Sequence, residues 1–181
     1  MKYLVISDIH GSLSGVSFIE EALKMHQTNR ILALGDFLYH GPRNNLPIDY
    51  AVKDVIAVLN SYSTNITAVR GNCDAEVDQM VLDFPLTADY NILNIADRSI
   101  FMTHGHIYSL DHMPKLAAED CFLYGHTHIP QAEKTNGIYL LNPGSVSIPK
   151  GGHPASYAVL DEKSFTIYTL DHKIYMTLKF D

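Results

Sequence analysis

Seven side chains of metal-binding type follow short apolar runs. Asp8 and His10 follow residues 2–7, Asp36 follows 31–34 and Asn72 follows 65–69. His104 follows 99–103, and His126 and His128 follow 121–124. Together they offer two carboxylates, four imidazoles and one carboxamide oxygen. That mixture suits Mn²⁺, Fe²⁺ or Zn²⁺, whereas Ca²⁺ prefers oxygen alone. Asp36 stands out because the buried run before it ends abruptly in Gly35-Asp36, and a carboxylate has two oxygens with which to bridge two cations. Asp-x-His and Gly-His-x-His place alternate side chains on one side of an extended segment, so both members of each pair can face one site. Gly-Asp alone is weak, since both residues commonly end strands as turn residues. The ordered recurrence of all seven at run ends gives the set its weight. His26, His112, His153 and His172 lack such a setting and read as ordinary surface or satisfied histidines.

The elements that must carry these residues are legible as a pattern. Residues 2–7, 31–34 and 65–69 read as strands. Between them lie helical stretches: one begins at Ser14, placed as its cap, with Val16, Ile19, Leu23 and His26 on one face. The other carries Val52, Val55, Ile56 and Leu59. Strand and helix in alternation predict a right-handed parallel sheet, with ligands at the carboxyl ends of its strands. After residue 84 the pattern changes. Tyr90–Ile95 and 99–103 predict a strand pair turning at Asp97-Arg98, 113–118 a short helix, and 121–124 a strand. Short strands at 138–141, 156–160, 165–170 and 174–180 predict an antiparallel meander that packs a second sheet on the first. No linker or internal repeat divides the chain, so one domain over 1–181 is expected.

The chain has 181 residues, 46 % hydrophobic and 18 % charged, in the range of a globular protein. A net charge of −7 argues against a general electrostatic grip on nucleic acid, and no basic, aromatic-lined groove is evident. A small phosphate ester remains compatible if metals supply positive charge locally. No stretch reaches the roughly 20 apolar residues of a membrane span, and no secretory leader is visible. Two cysteines, Cys73 and Cys121, are too few for a disulfide framework, so a reducing, cytoplasmic setting is expected. A homo-oligomer is compatible with all of this.

The series Asp8-x-His10, Gly35-Asp36, Gly71-Asn72-Cys73-Asp74, His104 and Gly125-His126-x-His128 resembles the calcineurin-like metallophosphoesterase superfamily. Within it the chain resembles the small bacterial YfcE-type phosphodiesterases. Those share His40-Gly41-Pro42-Arg43-Asn44, Arg70-Gly71-Asn72-Cys73-Asp74 and Asn142-Pro143-Gly144-Ser145-Val146-Ser147. The resemblance covers essentially the whole chain. It implies an α/β fold, a four-layer α/β/β/α sandwich of two stacked mixed sheets with flanking helices. It also implies two divalent ions, Mn²⁺ first, with Fe²⁺, Zn²⁺ or Ni²⁺ as alternatives. Asp8, His10, Asp36 and His128 would hold one; Asp36, Asn72, His104 and His126 the other. Most superfamily members carry histidine where this chain has Cys73. Cys73 and Asp74 are therefore the residues to examine for catalysis, with His40, Arg43 and His106 as candidate substrate contacts.

Two cations about 3.5–4 Å apart would share a bridging hydroxide of lowered pKa, a built-in nucleophile, and would clamp the phosphoryl oxygens in an in-line displacement. A phosphodiester of a small molecule is the expected substrate: the resemblance points to it, and Arg43 and Arg70 are the only basic residues near the motifs. The alternatives are a phosphomonoesterase on the same fold and a non-catalytic protein-binding scaffold of the Vps29 type.

Overall fold

The computed structural model describes residues 1–181. Its first half alternates as expected: β1 (Tyr3–Ile6), α1 (Ser14–Ser17), α2 (Ile19–His26), β2 (Ile31–Ala33), α3 (Val52–Ser61) and β3 (Ile66–Ala68). β1, β2 and β3 pair in parallel. α3 buries Val55 and Leu59 from its apolar stripe. The first helical stretch is broken at Phe18 into α1 and α2, and Ser14 does not cap it. Instead the Asp49 carboxylate accepts hydrogen bonds from the Ser14 N–H and the Ser12 hydroxyl, at 2.5 and 2.8 Å.

The second half contains β4 (Tyr90–Ile95), β5 (Arg98–Thr103), β6 (Cys121–Leu123), β7 (Gln131–Thr135), β8 (Ile138–Asn142), β9 (Ser156–Leu160), β10 (Ser164–Thr169) and β11 (Ile174–Lys179). The β4–β5 hairpin forms, turning at Ala96-Asp97, one residue earlier than expected, because Arg98 already pairs with Ile95. Two expectations fail. The meander β9–β11 does not build the second sheet: β9 pairs antiparallel with β1, Tyr3 opposite Leu160, and extends the first sheet to the order β11-β10-β9-β1-β2-β3. The second sheet is β4-β5-β6-β8-β7, from the middle of the chain. Nor is there a helix at 113–118. Met113 is extended, φ −71° and ψ 139°, as the proline after it favours.

Alternation along the strands assigns the layers. Leu4, Ile6, Ile31, Ala33, Tyr157 and Val159 face the helices, while Val5, Leu32, Ala158, Leu160 and Phe165 meet Ile100, Met102, Leu123 and Leu141 between the sheets. Phe101, Phe122 and Leu140 point outward from the second sheet. They are covered by Tyr108, Met113 and Leu116, from a loop whose only helical part is one 3₁₀ turn, Leu110–His112. Each fully buried aliphatic side chain contributes on the order of 1.5–3 kcal/mol, so the two inner layers hold the strand ends rigidly. No helix is long and apolar enough to cross a membrane.

Candidate metal centre

The loops leaving β1, β2, β3, β5 and β6 converge at one edge of the sandwich. The two pairs of ligand-type residues meet there for a reason other than strand alternation. Asp8, His10, Asp36, His126 and His128 all have left-handed backbones, with φ from 51 to 64°. Such conformations cost a non-glycine residue of order 1–3 kcal/mol each and persist only where surroundings over-determine them. The Asp8 carbonyl is held by the hydroxyls of Ser145 and Ser147, which donate at 2.9 and 2.8 Å. Asp36 is held by Asp74.

Asp74 was expected among the catalytic residues, and its geometry gives it a different task. Its oxygens accept the main-chain N–H groups of Asp36, Phe37 and Gly71 at 2.8, 2.7 and 2.7 Å. Both oxygens are therefore engaged, and the carboxylate pins two turns together as a positioning residue. Burial raises its pKa to about 6, against these three donors.

Three imidazoles are aimed from behind. His10 and His104 donate Nδ1–H to the carbonyls of Tyr39 and Leu34, at 2.8 and 2.6 Å, and His128 does the same to Ile148. A carbonyl can only accept, so in the neutral rings the Nε2 lone pairs point inward. Nε2 of His10 and Nε2 of His128 face each other at 3.3 Å. Asp8 Oδ1, fully buried and without a hydrogen-bond partner, lies 3.2 Å from the second and 3.8 Å from the first. Three electron-rich atoms facing one another need a shared cation. A second group joins Asp8, Asp36 and His104, and a third joins His10, Asp36 and Cys73. His104 Nε2 also lies 3.1 Å from Asn72 Oδ1. The donor set fits divalent cations.

Asp36 differs from expectation in one respect. Its Oδ1 accepts the Cys73 N–H at 2.8 Å, leaving Oδ2 to face inward, 3.7 Å from His10 Nε2 and 3.5 Å from His104 Nε2. Oδ2 is thus the oxygen freer to meet a cation, while Oδ1 keeps a second lone pair. Burial opposes charge on Asp8 and Asp36, but the imidazoles of His128 and His104 more than offset it and hold both carboxyls below their ordinary range. Burial also opposes charge on His104, yet Asp36 and Asp8 raise it to about 9. One proton thus stands in for positive charge that the site is built to receive.

His126 stands at the rim: its ring is 5.1 Å from that of His104, and it enters none of the three groups. Cys73 lines the cleft, and burial, then Asp36, push its thiol up to about 12 in the metal-free protein. Arg43 lines the same cleft; His106 lines a neighbouring cavity, and His40 lies against Tyr39 and Tyr50. Arg70 is ion-paired with Asp89 at 2.8 Å. Lys150, not singled out from the sequence, lines the cleft instead. The histidines set aside are elsewhere, His26 and His172 on the Tyr157 hydroxyl and His153 on that of Tyr175.

The Asn142–Ser145 turn is structural in its contacts. The Ser145 hydroxyl also accepts the N–H groups of Ser147 and Ile148. Ser145→Ala should lower stability by about 1–3 kcal/mol, because two donors lose their partner. Ser147 still holds the Asp8 carbonyl, so thermal unfolding should shift while kcat stays within about threefold. A large fall in turnover at unchanged stability would contradict this.

Compared with known proteins, residues 1–164 match the calcineurin-like phosphoesterase superfamily domain. Phosphodiesterase YfcE of Escherichia coli strain K12 is 46 % identical over 171 residues, 94 % of this chain and 93 % of that protein. The solved structure of YfcE, described as a phosphoesterase from E. coli, has a TM-score of 0.96 at 44 % identity, with 100 % of both chains covered. Vacuolar Protein Sorting 29 from Cryptosporidium parvum shares the fold alone, with a TM-score of 0.66 at 20 % identity over 99 % of this chain and 97 % of that one.

Proposed function

This chain belongs to the calcineurin-like phosphoesterase superfamily, and on that premise we propose that it hydrolyses phosphodiester bonds of small molecules with two divalent cations. The observation that carries the reading is the orphaned Asp8 Oδ1 facing the Nε2 atoms of His10 and His128. Asp8, His10 and His128 would hold one ion, and His104, Asn72 and His126 the other, with Asp36 common to both. When bound, such ions supply Lewis acidity toward phosphoryl oxygens and a water acidified for attack. Mn²⁺ is our first choice and the cytoplasm the expected compartment.

The protein's own part is to keep this array in place before substrate arrives. The carbonyls of Tyr39, Leu34 and Ile148 fix the tautomers of three histidines, and Asp74 locks the turns that present Asp36 and Asn72. No side chain is required as nucleophile. The complete donor set supports catalysis over a scaffold role.

The test is to strip the protein with a chelator and reload it with Mn²⁺, Fe²⁺, Zn²⁺ or Ni²⁺. Turnover of bis(p-nitrophenyl) phosphate and p-nitrophenyl phosphate is then compared. Chelation should abolish hydrolysis and reloading restore it, with the diester preferred. A monoester preference would replace the phosphodiesterase reading. Hydrolysis of neither, with two ions bound, would favour the scaffold.

Cys73 adds a kinetic expectation. Neither a thiol nor a thiolate supplies a cationic donor to a departing oxygen, whereas an imidazolium would. Cys73→His should raise kcat/KM for diesters with poor leaving groups by roughly tenfold to a hundredfold, and change activated aryl esters little. The measurement is a series of diesters graded by leaving-group pKa, with metal content checked in both proteins. Equal or lower rates across the series, at full occupancy, would discard it.

A further inference from the structure

Two basic side chains at the mouth of the centre have no acidic partner. Arg43 and Lys150 line the narrow cleft, about 40 Å³, that also holds Asp36, Asn72, His126 and His128. Lys24, Arg70, Lys134 and Lys173 are ion-paired and the remaining basic side chains are not; what sets Arg43 and Lys150 apart is that both line this cleft. The main chains that carry the two are fixed. Lys150 N–H donates to the His128 carbonyl at 3.2 Å, and its own carbonyl accepts from His153 at 3.2 Å. On the other wall Asn44 Nδ2 donates to the His40 carbonyl at 2.9 Å, closing the turn that presents Arg43. In a chain of net charge −7, two unpaired cations in one cleft are not the by-product of a generally basic surface.

A second cavity, about 340 Å³, shares His126 with this cleft. It is lined further by His106, Ser109, Leu110, Tyr124 and Thr127, and its one formally charged side chain is Asp111. The two spaces that touch His126 therefore differ in sign and size. The narrow one carries two cations against the single carboxylate of Asp36, whereas the wide one carries one carboxylate and no cation and has room for a ring-sized group.

We infer that the substrate is an asymmetric diester: one ester arm ends in a phosphate held by Arg43 and Lys150, and the other is uncharged and occupies the His106–Thr127 cavity. This rests on the phosphodiesterase reading and adds its substrate class. Two cations match the charge of a terminal phosphate, about −1.5 to −2 near neutral pH, better than that of a carboxylate. Arginine also offers phosphate a planar pair of donors.

The test uses thymidine 5′-(p-nitrophenyl phosphate) and its 3′-phosphorylated counterpart on the Mn²⁺-loaded protein. The phosphorylated probe should be favoured in kcat/KM by about tenfold or more, and added salt should shrink the preference. Arg43→Gln and Lys150→Gln should each cut the ratio several-fold, and the double variant should bring it near one. Calorimetry on the metal-free protein gives a second readout: thymidine 3′,5′-bisphosphate should bind about tenfold tighter than thymidine 5′-monophosphate, and the double variant should lose the difference. A ratio near one in the parent protein overturns the inference. So does an equal loss on both probes in the variants, which would place the two cations on the scissile phosphate. If neither probe is hydrolysed, the phosphodiesterase reading falls by itself. The calorimetric difference then still decides whether these cations hold a second phosphate.

Discussion

Asp36→Asn should lose turnover by at least about a thousandfold while the protein stays folded. The amide oxygen can take the place of Oδ1 and keep the 2.8 Å hydrogen bond from the Cys73 N–H. The amide nitrogen then sits where Oδ2 was, 3.7 Å from His10 Nε2 and 3.5 Å from His104 Nε2. The metal-free variant loses the carboxylate that holds a proton on His104 but keeps the side chain's shape and its bond to Cys73, so the fold should be retained. What vanishes is the one anionic oxygen common to both histidines. An amide N–H pointed at a cation repels it, so both ions should weaken together. Metal analysis and thermal unfolding would accompany the rate measurement. Near-normal activity with two ions bound would remove Asp36 from its place as the shared ligand.

The amino-acid pattern reveals which residues gather, and much less about how. Strand-end placement of Asp8, Asp36, Asn72 and His104 was readable because a buried apolar run has few ways to end and the parallel βαβ order puts those ends together. The left-handed backbones of Asp8, His10, Asp36, His126 and His128 were not readable. Glycine normally signals that conformation, and here the strain at Asp8 and Asp36 is offset by hydrogen bonds with Ser145, Ser147 and Asp74, distant in sequence. β9–β11 were visible as strands, yet their choice of β1 as neighbour is a pairing decision made in three dimensions. Lys150 escaped notice because its link to the centre is a single main-chain hydrogen bond to His128. The Gly151-Gly152 pair after it, both with positive φ, was the available sign of a turn returning there.

Gly71→Ala should be nearly as damaging as the loss of Asp36, for a steric reason. A methyl built on Gly71 would meet Asp36 Oδ1 at 2.1 Å and the Asp36 nitrogen at 2.4 Å. Neither neighbour can yield freely. The Asp36 N–H and the Gly71 N–H are both tied to Asp74 Oδ2, so the two turns are clamped to the same atom. Moving them apart breaks that clamp and displaces Oδ2 from between His10 and His104. Overpacking of this kind costs typically 1–3 kcal/mol in stability. The rate should fall further, by about a hundredfold or more, because an ångström of misplacement at a reacting centre is enough for that. Gly152 supplies the contrast. It has φ +77° and nothing within 4 Å of an added methyl, so Gly152→Ala meets only the left-handed backbone cost, roughly 1–2 kcal/mol. Unfolding curves for the two variants should therefore differ modestly, while kcat/KM and metal content separate them widely. Equal activity in both would show that the close approach of Gly71 to Asp36 does not set the geometry of the centre.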